Sequence, residues 1–340
     1  MTPQMKTGFY RRVLCGPIGA SLAGFLTDLR IGGNLDLSGT RVTKLPKGLK
    51  IGGSLYLSCS SITELPAGLK VGKCLDLQYN TAITRLPDGL EVGESLDLYG
   101  CTAFVELPEN LEIGGYLDLS HTSVTGLPEG LRVGGSLYLS CTPISNLPAN
   151  LEVGGDLSLF RTHIARLPDG LAVRGSLDLR YTSVNRLPED LRVDGSLDLS
   201  YSSISGLPED LKLGGSLCLY ECKAITKLPK GLRVGRNLDL SGSAITQLPK
   251  EVEVGGSLYL RDTSITRLPE GLKIAGSLDL SGVPITELPK GLRVGENLDL
   301  RGTPVTELPE DLRVGKDLYL DDIFTIQLPK RLQVGGCICR

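Results

Sequence analysis

The 340-residue sequence has no tryptophan, only two histidines and two methionines, and five phenylalanines. So few imidazoles leave little material for acid–base chemistry. His121 and His163 lie far apart in the chain, with no nucleophile signature beside either. No apolar run is long enough to cross a bilayer. A dominant charge is missing too: 36 Lys and Arg against 39 Asp and Glu leave a net charge of −3. That balance supplies no bulk field for a nucleic acid or a membrane surface. The nine cysteines are an odd number without a regular spacing, so they are expected to be reduced and mostly buried, as in a cytosol-like compartment. Neither Cys218 with Cys222 nor Cys337 with Cys339 has a second pair at zinc spacing. No metal or cofactor is expected.

Glycine (43) and proline (20) are abundant, and both are periodic. Leu-Pro recurs fifteen times from Leu45 to Leu328, at intervals of 20 residues eleven times and 21 three times. Self-similarity at this period means stacked coils. Counted from Leu-Pro, each coil is apolar at positions 1, 5, 7, 11, 13 and 18. In LPEGLRVGGSLYLSCTPISN these are Leu127, Leu131, Val133, Leu137, Leu139 and Ile144. The alternation at 11 and 13 is that of a half-buried strand, paired with strands of neighbouring coils. Proline at position 2 suits the start of a tight turn. Position 4 is Gly in eight of fifteen coils and Asn110, Asn150, Asp190, Asp210 or Asp311 in five more, which points to a left-handed backbone there. Gly-Gly at positions 8 and 9 turns a corner into the main strand.

The run Leu35–Pro46, LDLSGTRVTKLP, resembles the leucine-rich repeat. The short period and the Leu-Pro are most similar to the bacterial LPxxL subtype of type III secreted effectors. The resemblance covers about residues 26–340 and implies an α/β repeat fold, mostly β: a right-handed solenoid of about 16 coils with a parallel sheet on one face. Thr replaces the usual ladder Asn, for example at Thr40, Thr122 and Thr142, and its hydroxyl is expected to bond a neighbouring coil. Residues 1–25 are read as an N-terminal cap. Lys6, Arg11 and Arg12 before an apolar run look like a secretory signal, but Pro17 and Gly19 interrupt that run. The irregular coil around Phe324 either caps the far end or leaves it for a domain beyond Arg340. An uncapped strand edge would favour end-to-end self-association.

Two surface columns are candidates for function. Nine aspartates (Asp36, Asp76, Asp97, Asp118, Asp178, Asp198, Asp239, Asp279 and Asp299) stand between the strand leucines. They are either an acidic surface for a basic partner or a solvated face neutralised by nearby Ser, Asn and Arg. Phe160, Tyr181, Tyr201 and Tyr220 follow the strand in four consecutive coils, with Arg161, Arg180, Asp178 and Asp198 among them. Aromatic residues and arginine are enriched at binding hot spots, so these eight form a candidate protein-binding patch; the alternative is a tyrosine stack that protects the strand exit. Cys74-Leu75-Asp76 matches the Cys-x-Asp of the ubiquitin-ligase domain in some related effectors, but it occupies ordinary strand positions. The chain therefore reads as a non-catalytic scaffold for another protein, cytoplasmic or, as the resemblance implies, delivered into a host cell. Two alternatives are the recognition half of a ligase whose catalytic domain lies outside this chain, and a surface or extracellular recognition protein.

Overall fold

The computed structural model describes residues 28–321, 326 and 328–340; the expected cap over residues 1–25 and the Phe324 segment lie outside them. The chain divides into two units, Met1–Ile164 with Leu171–Gly175, and Ala165–Gly170 with Ser176–Arg340. Both are built from one coil, repeated. Each coil has a short outer strand at positions 6 and 7, such as Arg132–Val133, and a main strand at positions 11 and 12, such as Leu137–Tyr138. Both strands pair in parallel with the same strand of the next coil, Arg132 with Glu152 and Leu117 with Leu137. The first unit carries seven main strands, from Leu35–Asp36 to Leu157–Ser158. The second carries nine, from Leu177–Asp178 to Ile338–Cys339. No helix occurs among the described residues, and none is long and apolar enough to cross a membrane.

The apolar positions face inward as their periodicity requires. Leu137, Leu139 and Ile144 in the first unit and Leu197, Leu199 and Ile204 in the second have no exposed surface. One coil cannot close a core with so few side chains, so burial depends on its neighbours. The Leu-Pro segment is a β-turn, in which Leu69 N–H donates to the Pro66 carbonyl at 3.3 Å and Leu211 N–H to that of Pro208 at 3.3 Å. Its position-4 glycines all have positive φ, from 68° at Gly271 to 79° at Gly130. The expectation for Asn and Asp there is corrected: of the five only Asn110 is left-handed (φ 55°). The corner glycines answer to sterics instead, because a Cβ on Gly154 would overlap the Gly134 carbonyl oxygen.

Between the two strands the direction of the backbone donors reverses. Outer-strand N–H groups point to the preceding coil, as from Lys50 to the Leu29 carbonyl at 2.9 Å. Main-strand N–H groups point to the following coil, as from Leu37 to the Tyr56 carbonyl at 2.8 Å. The position-10 N–H lies at this reversal, and a side chain accepts it. Ser54 N–H donates to Asn34 Oδ1 at 2.8 Å, Ser216 N–H to Ser196 Oγ at 2.9 Å, and Ser257 N–H to Asn237 Oδ1 at 2.9 Å. A buried donor left unpaired would cost about 1–3 kcal/mol, which accounts for Ser and Asn at this position.

The threonine column corrects a second expectation. Thr142 Oγ1 donates to the carbonyl of its own coil's Leu139 at 2.7 Å, and Thr303 Oγ1 to that of Leu300 at 2.6 Å. These hydroxyls close their own turns and do not bridge coils. Bridging belongs to the three 21-residue coils, which have Asn80, Cys101 and Cys222 at this position. The Asn80 amide donates to Leu77 and to Leu57 of the preceding coil at 2.7 and 2.8 Å. The Cys101 and Cys222 thiols each reach back to a carbonyl of the preceding coil, Leu77 and Leu199, at 3.0 Å. Burial pushes the Cys101 thiol up to about 12. The other described cysteines are not buried, contrary to the expected pattern, and Cys59 and Cys337 are exposed.

Leu197→Ala is expected to lower the unfolding free energy by about 2–5 kcal/mol through lost core volume. Arg132→Ala, which removes only an exposed 3.8 Å ion pair with Glu112, should change it by less than about 0.5 kcal/mol. Urea titration of both variants checks the assignment of inside and outside.

Candidate functional site

The chain leaves each main strand through a turn at positions 13–16, closed by bonds such as Thr182 N–H to the Leu179 carbonyl at 3.3 Å. Its third residue, position 15, has positive φ wherever it is described: 64° at Gly39, 57° at Tyr79, 59° at His121, 57° at Tyr181, 59° at Tyr201 and 71° at Gly302. This is the geometry of a type II turn, for which Gly is the strain-free residue. The same turn explains the aspartate column. Oδ1 of each of the nine accepts the position-14 N–H two residues on, as Asp36 does from Ser38 at 2.9 Å and Asp239 from Ser241 at 2.9 Å. These are Asx turns, and they give the carboxylates a local structural role.

In the second unit the turns form an aromatic edge. Tyr181 and Tyr201, both at position 15, stack with centroids 4.5 Å apart and ring planes at 11°. That distance is close to the spacing of about 4.8 Å between paired strands, so in-register stacking sets it. Tyr220, at position 14, meets Tyr201 edge-on at 5.4 Å. The three rings are 43%, 43% and 38% exposed. The hydroxyl contact with Tyr220 pushes the Tyr201 phenol up to about 12. Arg180 lies beside the rings and spans two carboxylates, with Nε 2.9 Å and Nη2 2.7 Å from Asp178 and Nε 3.6 Å from Asp198. Asp178, Arg180 and Asp198 thus pair with one another. Phe160 and Arg161 belong to the first unit, where the guanidinium lies 5.2 Å from the ring centroid.

The first unit has a comparable edge that sequence reasoning missed. Tyr79 and His121 at position 15 flank Tyr99 at position 14, at centroid distances of 5.4 and 5.2 Å. Tyr79 is 52% exposed. The signal was present: three rings in three consecutive coils at the two positions that Tyr181, Tyr201 and Tyr220 occupy. Nearby, Asp97 is nearly buried and accepts from Gln78 Nε2 at 2.7 Å and the Tyr116 hydroxyl at 3.2 Å. Burial raises the pKa of Asp76 and of Asp118, with the Asp97 charge adding to both. Among the described residues no three His, Cys, Asp or Glu are placed to hold a metal ion.

Asp118→Asn keeps the turn acceptor without a charge. A carboxyl with a raised folded pKa costs stability as pH climbs through that value, so the wild type loses stability there and the Asn variant does not. At neutral pH Asp118→Asn should be at least as stable as wild type, and the advantage should vanish in acid. Asp118→Ala, which removes the acceptor, should lose about 1 kcal/mol. Melting curves from pH 3 to 7 would test both.

No protein-family model matches the chain, and no curated protein does. Among solved structures it is similar to the leucine-rich-repeat protein LIC12759 of Leptospira interrogans, with 22% identity, TM-score 0.48, and 80% of this chain and 90% of that one covered. It is also similar to YopM of Yersinia enterocolitica, with 21% identity, TM-score 0.33, and 90% and 88% covered. YopM of Yersinia pestis, described as a leucine-rich effector protein, shows 14% identity and TM-score 0.40, with 99% and 93% covered. The parallel, in-register strands of 20- and 21-residue coils and their buried leucine columns establish, from the chain's own geometry, a leucine-rich-repeat solenoid.

Proposed function

We propose that this chain is a non-catalytic protein-binding scaffold, and that the edge formed by Tyr181, Tyr201 and Tyr220 is its contact surface. One observation carries the reading: consecutive coils place large, exposed tyrosines at a left-handed position where glycine would be free of strain. An L-residue in that conformation costs about 1–2 kcal/mol. The rings remain partly open to solvent although they are stacked. Asp178, Arg180 and Asp198 form a rim that is largely paired within itself, with one carboxylate charge in excess, so it sets orientation more than affinity. The Leu-Pro turn, through its resemblance to effector repeats, supports the narrower reading of a bacterial effector's recognition module acting in a host cell.

Tyr181→Gly separates function from fold. The glycine relieves the left-handed strain, about 1–2 kcal/mol, and offsets the lost ring pair, worth about 0.5–1.5 kcal/mol. Unfolding should therefore shift by less than about 1 kcal/mol. Binding to a partner recovered by pull-down with the intact chain should weaken by about 1 kcal/mol or more, the scale of a hot spot. Unchanged affinity, measured calorimetrically, would leave the stack a structural feature and remove this surface from consideration.

A further inference from the structure

On the turn side of the second unit a cleft of about 480 Å³ opens between the coils that begin at Leu228 and Leu248. Its floor is apolar, made by Leu228, Leu248 and Pro249. Lys227, Lys230 and Lys250 line it together with one carboxylate, Glu251. The size and the mixture of an apolar floor with a few polar groups are those of small-ligand sites, which run to about 300–1,000 Å³. We propose that this cleft binds a small amphipathic organic anion, with its apolar body on the leucine and proline floor and its acidic head among the three ammonium groups.

At position 3 the two coils that form the cleft both carry lysine, Lys230 and Lys250, after Glu189 and Glu209 in the two preceding coils. Lysine stands there also at Lys47, Lys290 and Lys330, so the departures particular to the cleft are at positions 4 and 5. At position 4 Glu251 stands where eight coils have glycine, and at position 5 Val252 replaces a leucine found in every other Leu-Pro coil. The leucines of the adjoining coils, Leu232 and Leu272, are buried, whereas the shorter Val252 is only half-buried. The outer sheet is interrupted next to it, after Glu253–Val254 and before Lys273–Ile274.

Charge then chooses the occupant. Among the described residues no ion pair joins Lys227, Lys230 or Lys250 to a carboxylate, although Arg233 close by in sequence pairs with Glu253 at 3.3 Å. Three lysines and a single Glu251 give the lining an excess of positive charge. An anionic head group offsets that excess and gains charge-assisted hydrogen bonds, while the floor rewards an apolar body. A neutral apolar ligand would gain only the second term, and a free inorganic anion only the first.

The test uses the full chain and two naphthyl dyes of similar size, the anionic 8-anilinonaphthalene-1-sulfonate and the neutral N-phenyl-1-naphthylamine. The anionic dye should bind at one saturable site, more weakly as salt rises. The triple variant Lys227→Gln, Lys230→Gln, Lys250→Gln should weaken it at least about tenfold. Lys290→Gln, at position 3 of another coil, should leave its affinity unchanged, and circular dichroism should be the same for all chains. Equal affinity for the two dyes would overturn the proposal, as would wild-type affinity in the triple variant. The dye would then lie elsewhere, for instance on the exposed Leu328 and Ile338.

Discussion

Within each unit, the strand residues of a coil are held in place by the residues one coil before and one coil after them. The main-strand hydrogen bonds fix that register, Leu217 N–H to the Asn237 carbonyl at 2.9 Å and Leu219 N–H to that of Asp239 at 2.7 Å. Once register is fixed, a position in the repeat becomes a column in space, and its chemistry is judged against copies of itself. Leucine columns bury one another at no electrostatic cost. A column of carboxylates on adjacent strands repels itself, and persists only where something local compensates. The Asx turn is that compensation, since each aspartate accepts a backbone N–H within its own coil. Arginine adds to it at Arg180 and Arg301, which pair with Asp178 and Asp299 at 2.7 and 2.5 Å.

The columns also explain which features could be read from the chain before its structure. Apolar positions 1, 5, 7, 11, 13 and 18 were legible because burial acts on residue type directly. The left-handed turn at position 15 was not, because Tyr, His, Cys, Arg and Glu stand there beside Gly, and the one tolerant Asp, Asp262, is too few to mark the column. The direction of the position-16 hydroxyl was also hidden. Thr122 Oγ1 donates to its own coil's Leu119 carbonyl, whereas at the same position the Asn80 amide spans two coils and the Cys101 and Cys222 thiols reach the preceding one. The position-10 rung was missed for another reason: Ser and Asn before a strand read as ordinary polar residues until the reversal of backbone donors is known. Of the candidate site, Tyr181, Tyr201 and Tyr220 were found from their spacing. Tyr79, Tyr99 and His121 were overlooked because their ring types differ and they alternate between positions 14 and 15.

Length variation is absorbed where it does least harm to register. The three 21-residue coils add their residue after position 16, beyond the main strand, so the strand ladder continues across them, as from Leu75 to Leu96 and from Leu217 to Leu238. The turn must still be tied down, and in those coils Asn80, Cys101 and Cys222 bond to the preceding coil in place of the usual hydroxyl. The apolar column adapts as well, with Phe104 fully buried in one of them. A thiol whose pKa burial raises remains a neutral donor over the physiological range, which suits Cys101 to this role and makes it a poor nucleophile.

Stability alone does not explain the tyrosines. Five coils fill position 15 with glycine, at Gly39, Gly100, Gly242, Gly282 and Gly302, and these show that the turn forms without a side chain. Where a side chain is present it can still serve packing, as Tyr79 does by lying over Gly100, where an added Cβ would come within 2.8 Å of its ring. Tyr181 and Tyr201 have no glycine beneath them to cover; each stacks on another ring that is itself left-handed and exposed. Two strained positions support this stack and the edge-on contact of Tyr201 with Tyr220, and ring pairs worth about 0.5–1.5 kcal/mol each do no more than offset strain of about 1–2 kcal/mol at each position. On the reading proposed above, a bound protein surface adds the apolar burial that favours tyrosine over glycine at this edge.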